Sequence, residues 1–211
     1  MRNQTPAEEV VNVITHGVGA VASIAGGVVL IVLAALTRSA WNIVGASVFV
    51  AALILLYTAS TSYHAARSEA LKKRLQVLDH CAIFLLIAGT YTPFMLGAMR
   101  GGWGWSLWGT VAGLAVAGLI FKLFFTGRFP KLSTAVYVAM GWVVVIGAGP
   151  LVRSIEPTAL VWLIAGGVVY TAGTLFYHAR MRFAHGVWHL FVLGGSVCHA
   201  LALGIQLRSA V

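Results

Sequence analysis

Apolar residues fall in long unbroken runs along this chain, not in the one-face stripes of a soluble helix or the alternation of a half-buried strand. Seven runs stand out, at about 17–36, 42–64, 77–98, 106–125, 133–151, 159–178 and 185–207. Each approaches the ~20 residues that a helix needs to cross a hydrocarbon core. The breaks between them are polar or helix-breaking: the stretch Ala65 to Arg74, Arg100-Gly101-Gly102, Thr126 to Lys131, and Glu156-Pro157. Pro93, late in the third run, is expected to kink or end that helix. The pattern predicts an all-α protein, an integral membrane bundle of seven transmembrane helices. It forms one domain over residues 1–211, with a short polar N-terminal segment at 1–15 and no internal repeat or linker.

Composition agrees, with 60% hydrophobic and only 9% charged residues. A net charge of +9 would suggest nucleic acid in a soluble domain. In a membrane protein it marks the loops held in the cytoplasm, so membrane lipids are the expected partners and nucleic acid is not. Seven spans put the termini on opposite sides. Ten of the fourteen basic residues, Arg2 among them, fall on the N-terminal side, which predicts a cytoplasmic N-terminus and an outside C-terminus. Trp41, Trp103, Trp105, Trp108 and Trp162 gather at the opposite ends, as an interfacial belt would. Cys81 and Cys198 lie inside apolar runs without a C-x-x-C spacing, so free buried thiols are expected. No cleavable signal peptide is evident at the start.

Against this apolar background the ionisable residues are conspicuous, because such groups are costly in lipid and usually functional. His185 and His189 are four apart and so share a helix face. Ser60 and His64 are likewise four apart, near the cytoplasmic end of the second run. Asp79, the only aspartate in the chain, sits about one turn into the third run at the same depth. Three histidines with an open fourth position form the pattern of a catalytic zinc site. Zinc lowers the pKa of water and polarises a carbonyl; Asp79 could then serve as general base and Ser60 could orient the water or an oxyanion. Alternatively, the histidines hydrogen-bond between helices and simply hold the bundle together. Spacing alone leaves both readings open.

Several ordered motifs add to this: Ser60-Thr61-Ser62-Tyr63-His64, Asp79-His80-Cys81-Ala82-Ile83-Phe84, Ala88-Gly89-Thr90-Tyr91-Thr92-Pro93 and His185-Gly186-Val187-Trp188-His189. With Glu8-Glu9, Asn12 and Thr15-His16-Gly17, they resemble the hemolysin III family over essentially the whole chain. That family is the bacterial branch of the progestin and adipoQ receptor (PAQR) proteins, which include the adiponectin receptors. The resemblance implies a multi-pass protein of the bacterial inner membrane with a zinc ion near its cytoplasmic face. It implies His64, His185 and His189 as ligands, with Asp79 and Ser60 beside them. Relatives are similar to alkaline ceramidases, which implies hydrolysis of a lipid amide or ester. The chain departs from the adiponectin receptors in its short N-terminus, and a protein-hormone ligand is not expected. Two other functions stay open: a sensor of membrane state with a structural zinc, and, behind both, a pore-forming hemolysin.

Of the other polar residues, His16 and His178 are expected at the interface and His80 in a packing or hydrogen-bonding role. His199 lies about 15 Å along the helix from His189, too far to share its metal. Gly26-Gly27, Gly166-Gly167 and Gly194-Gly195 are expected to let helices pack closely.

Overall fold

A computed structural model describes residues 4–211, so Arg2, one of the basic residues that orient the chain, lies outside the described residues. Seven helices are long and apolar enough to cross a membrane, and there is no strand among the described residues. They are α1 (Pro6–Leu36), α2 (Ala40–Ala65), α3 (Glu69–Ala98), α4 (Gly102–Phe125), α5 (Pro130–Ser154), α6 (Pro157–Tyr177) and α7 (Ala184–Arg208). The chain is a multi-pass, all-α membrane protein. Helix α1 packs against both α2 and α7, while α6 closes against α7 and α3 against α2 and α4.

The largest difference from the hydropathy pattern is at the start. Helix α1 begins at Pro6, eleven residues before the apolar run, so most of the polar segment at 1–15 is helical. Local chemistry explains the start. Thr5 accepts from the Glu8 N–H and the Glu8 carboxylate accepts from the Thr5 N–H, a capping box with proline in the first turn. The inward face of α1 then reads Glu8, Asn12, His16, Gly19, Ser23, Gly27, Leu30 and Ala34, spaced three or four apart. This face is polar and small, whereas Val10, Ile14, Val18, Val21 and Ile24 point outward. A lipid-facing helix inverts the soluble pattern, because the bilayer takes the apolar side and close packing takes the small one. One glycine of the first pair illustrates the fit: a Cβ on Gly27 would lie 2.4 Å from Val50, while Gly26 faces open space.

Helix α3 also starts early, at Glu69, so much of the basic stretch expected as loop forms its first turns. Asp79 is therefore ten residues into the helix, about 15 Å from its start, and not one turn in. Pro93 does not end the helix. The chain continues through it as a wider turn over Pro93–Ala98, with the Met99 N–H donating to the Phe94 carbonyl at 2.8 Å. Helix α5 is interrupted too, narrowing to a 3-10 turn over Val143–Gly147. In lipid the freed backbone groups need partners inside the protein. The Tyr91 hydroxyl supplies them. It faces the Met140 and Gly141 carbonyls at 3.0 and 2.9 Å and accepts from the Val144 N–H at 2.9 Å.

Candidate metal centre

Helix α2 brings His64, and α7 brings His185 and His189, to one point beside α1. Their imidazole centroids lie 5.1 Å apart for His64–His185, 5.1 Å for His64–His189 and 4.7 Å for His185–His189. One ring nitrogen from each lies within 4.8 Å of the other two. His64 and His189 are buried and His185 is partly so. The Nε2 atoms of all three are buried without a hydrogen-bond partner among the described residues. Unpaired buried polar atoms are rare and costly. Three of them converging suit a bound cation.

The other ring nitrogens show which tautomer is present. His64 Nδ1 lies 2.6 Å from Glu9 Oε2, and a carboxylate can only accept, so Nδ1 carries the proton. The Glu9 carboxylate in turn holds Lys72 Nζ at 2.5 Å. His189 Nδ1 lies 3.0 Å from Thr15 Oγ1, whose own proton is directed to the Val11 and Asn12 carbonyls at 2.9 and 3.0 Å. Thr15 therefore accepts, and His189 Nδ1 also carries its proton. Both rings thus turn a lone pair on Nε2 toward the centre, with an outer partner fixing the orientation, as metal-ligating histidines require. Interhelical bonding of the polar-glue kind accounts for Nδ1 of His64 and of His189 and leaves the three Nε2 atoms unexplained. An all-nitrogen set of three suits zinc better than a hard cation. A tetrahedral zinc at ~2.0–2.1 Å asks for nitrogens roughly 3.3 Å apart, which side-chain rotation can reach from here.

Glu8 supports the same site from the other side. Its Oε1 accepts the Phe183 N–H at 2.8 Å, at the turn where Phe183 adopts a left-handed φ of 59°. A bulky residue takes that conformation only when its surroundings hold it. The bond anchors the start of α7, two residues before His185.

Asp79 and Ser60 complete the neighbourhood. Asp79 is buried, with its Oδ2 3.8 Å from His80 Nδ1. Ser60 is 1% exposed, and its buried Oγ has no hydrogen-bond partner among the described residues. Two cavities meet here. A polar vestibule of about 550 Å³ is lined by Glu9, His64, Lys72, His185 and residues of the α4–α5 turn. An apolar cavity of about 190 Å³ runs between α3, α5, α6 and α7 as far as His199. Asp79, Ile83, Tyr177 and Trp188 line both.

Residues 4–200 match the family model described as Haemolysin-III related. The chain belongs to that family. It is 46% identical over 193 residues to the Hemolysin-3 homolog of Bacillus subtilis (strain 168), covering 91% of each chain. It is 43% identical over 190 residues to Hemolysin-3 of Bacillus cereus, covering 90% of this chain and 87% of that one. A more distant PAQR relative, the human Monocyte to macrophage differentiation factor, is 27% identical over 210 residues, covering 93% of this chain and 83% of that one. No solved structure gives a significant match.

The remaining histidines of this family member divide cleanly. His178 is exposed and its Nε2 faces Thr134 Oγ1 at 3.0 Å, in keeping with an interfacial position. His80 Nδ1 donates to the Gln76 carbonyl at 2.7 Å, one turn back. His199 Nε2 donates to the Leu163 carbonyl at 3.1 Å. His16 departs from expectation. It is 2% exposed and stacks on His189, with centroids 3.5 Å apart and rings 10° from parallel. The sequence reading gave Glu8, Glu9, Asn12 and Thr15 no part in the site. Their signal was the helical spacing of polar residues ahead of the first apolar run, one face of a helix that hydropathy alone does not extend to Pro6.

Proposed function

We propose that this chain is a zinc-dependent membrane hydrolase that cleaves an amide or ester bond of an acyl lipid. The observation that carries the reading is the convergence of three unpartnered Nε2 atoms beside a buried carboxyl, where a polar vestibule meets an apolar cavity. His64, His185 and His189 are the metal ligands. A zinc ion bound there would lower the pKa of water and polarise a carbonyl. The chain's own residues do the rest. The apolar cavity takes the acyl chain and excludes water from it. The vestibule takes the polar end, so the linkage between the two lies near Asp79. Asp79 accepts the proton of the attacking water and returns it to the leaving amine or alcohol. Ser60 orients the water or donates to the oxyanion. The site then opens on the cytoplasmic side of the inner membrane, as the basic-residue balance predicts.

The test uses purified protein in liposomes carrying N-acyl and O-acyl lipids, with metal content measured on the same samples. About one zinc per chain and release of a fatty acid are expected. Asp79→Asn should keep the metal and lower turnover by about 10²–10⁴-fold, the usual contribution of a general base. Turnover unchanged in Asp79→Asn removes that residue from the mechanism.

A second reading has one observation in its favour. The ligands come from α2 and α7, which lie on either side of α1 with few direct contacts, so a metal would tie them together. In that case metal removal lowers thermal stability sharply, and no lipid yields product with the zinc-loaded protein.

A further inference from the structure

Lys122 is the one buried lysine among the described residues, 1% exposed near the end of α4. Lysine is almost never fully buried unless paired. No carboxylate among the described residues lies within ion-pair distance of it. Its ammonium has three donors, of which Ser133 Oγ takes one at 2.6 Å. The Phe121 and Tyr137 rings flank it at 5.8 and 5.9 Å. Attraction to the C-terminal end of α4 accounts for a cation in the last turn. It does not account for burial, since an exposed lysine there gains as much.

The vestibule explains the position. Lys122 lines it, as do Arg67, Lys72 and Arg128. The facing carboxylates are Glu9 and Asp79. Glu9 is committed to Lys72 and His64, and Asp79 lies beside His80. Arg128 has no ion-pair partner among the described residues and follows Lys122 by six positions, across the turn into α5. The chamber is therefore positive on the α4–α5 side, with donors that the protein leaves unused.

We infer that Lys122 and Arg128 form a subsite for a phosphate-type oxyanion, whose source is the headgroup of an acyl lipid or free phosphate. Two cations match the doubly charged, tetrahedral group better than a single carboxylate, and charge-assisted bonds to its oxygens are the strong ones. A headgroup held there leaves the acyl chain to enter the apolar cavity past Asp79. The inference extends the hydrolase reading by naming a substrate class, but the binding it predicts needs no turnover.

The experiment follows thermal melting of the detergent-solubilised full chain against lysophosphatidic acid, lysophosphatidylcholine of equal chain length, and inorganic phosphate. Half-saturation by lysophosphatidic acid at a concentration about tenfold below that of lysophosphatidylcholine is expected, the usual worth of one charge-assisted bond. Lys122→Gln and Arg128→Gln should abolish that preference. Lys122→Arg should keep it, as should Lys73→Gln, since Lys73 is exposed and paired with Glu69 at 2.9 Å. Stabilisation by inorganic phosphate that also depends on Lys122 assigns the free anion as the source; stabilisation by the lipid alone assigns the headgroup. Equal half-saturation by the two lipids in wild type overturns the inference. So does a preference that survives in Arg128→Gln, a loop variant that decides the matter if Lys122→Gln fails to fold. Zinc content on the same samples separates the two readings, because metal-free protein with an intact preference sinks the hydrolase and spares the subsite.

Discussion

Glu9→Gln changes no ligand yet should weaken metal binding substantially. In the wild type the Glu9 carboxylate holds the His64 Nδ1 proton at 2.6 Å, which leaves the Nε2 lone pair for the metal. Glutamine keeps the shape and loses the charge. Its amide can also turn its N–H toward Nδ1, which moves the imidazole proton to Nε2 and blocks ligation. Loss of an outer partner of a ligating histidine costs about 10–100-fold in metal affinity, or about 1.4–2.7 kcal/mol. The upper part of that range is expected, because the bond is short and the His64 ring it holds is buried. Metal-depleted protein competing with a chromophoric chelator for zinc gives the affinity directly. Lys72→Met is the control. It removes the neighbouring charge and leaves the His64 bond, so its effect should stay within about 1 kcal/mol, as for partly exposed ion pairs. A Glu9→Gln affinity equal to that of wild type would refute the tautomer argument. So would a loss matched in full by Lys72→Met.

Other expectations concern packing and the metal itself. Gly27→Ala should lower the melting temperature through about 1–3 kcal/mol of overpacking against Val50, while Gly26→Ala, which meets nothing within 4 Å, should be neutral or slightly stabilising. Equal melting of the two variants would discard the packed face of α1. Tyr91→Phe strands the Val144 N–H and takes one donor from the Met140 and Gly141 carbonyls, so a loss of about 1–3 kcal/mol is expected in denaturant or thermal melts. Acidification should release the metal, because only a neutral imidazole ligates; metal retained through the full range of histidine titration would argue against an all-histidine site.

Much of the architecture is local in origin and therefore legible. Each apolar run near the length of a bilayer must be helical, since lipid offers the backbone no other partner. The pairing of His185 with His189, and of Ser60 with His64, follows from helical period alone. What hydropathy missed lies at helix ends. The first turns of α1 and α3 are polar, and a capping box or an amphipathic turn extends a helix without adding apolar residues. His16 was misread for a related reason. A polar residue at the edge of an apolar run has the same local pattern whether it faces water or stacks on a buried imidazole.

By itself the sequence determined seven helices, their family and a short set of candidate ligands, because membrane length and helical period act within single segments. Only the tertiary structure decided that α1 lies between α2 and α7, bringing Glu8, Glu9, Thr15 and His16 to the histidine triad. That choice rests on which small and polar faces fit each other, a property of pairs of helices that no single segment carries.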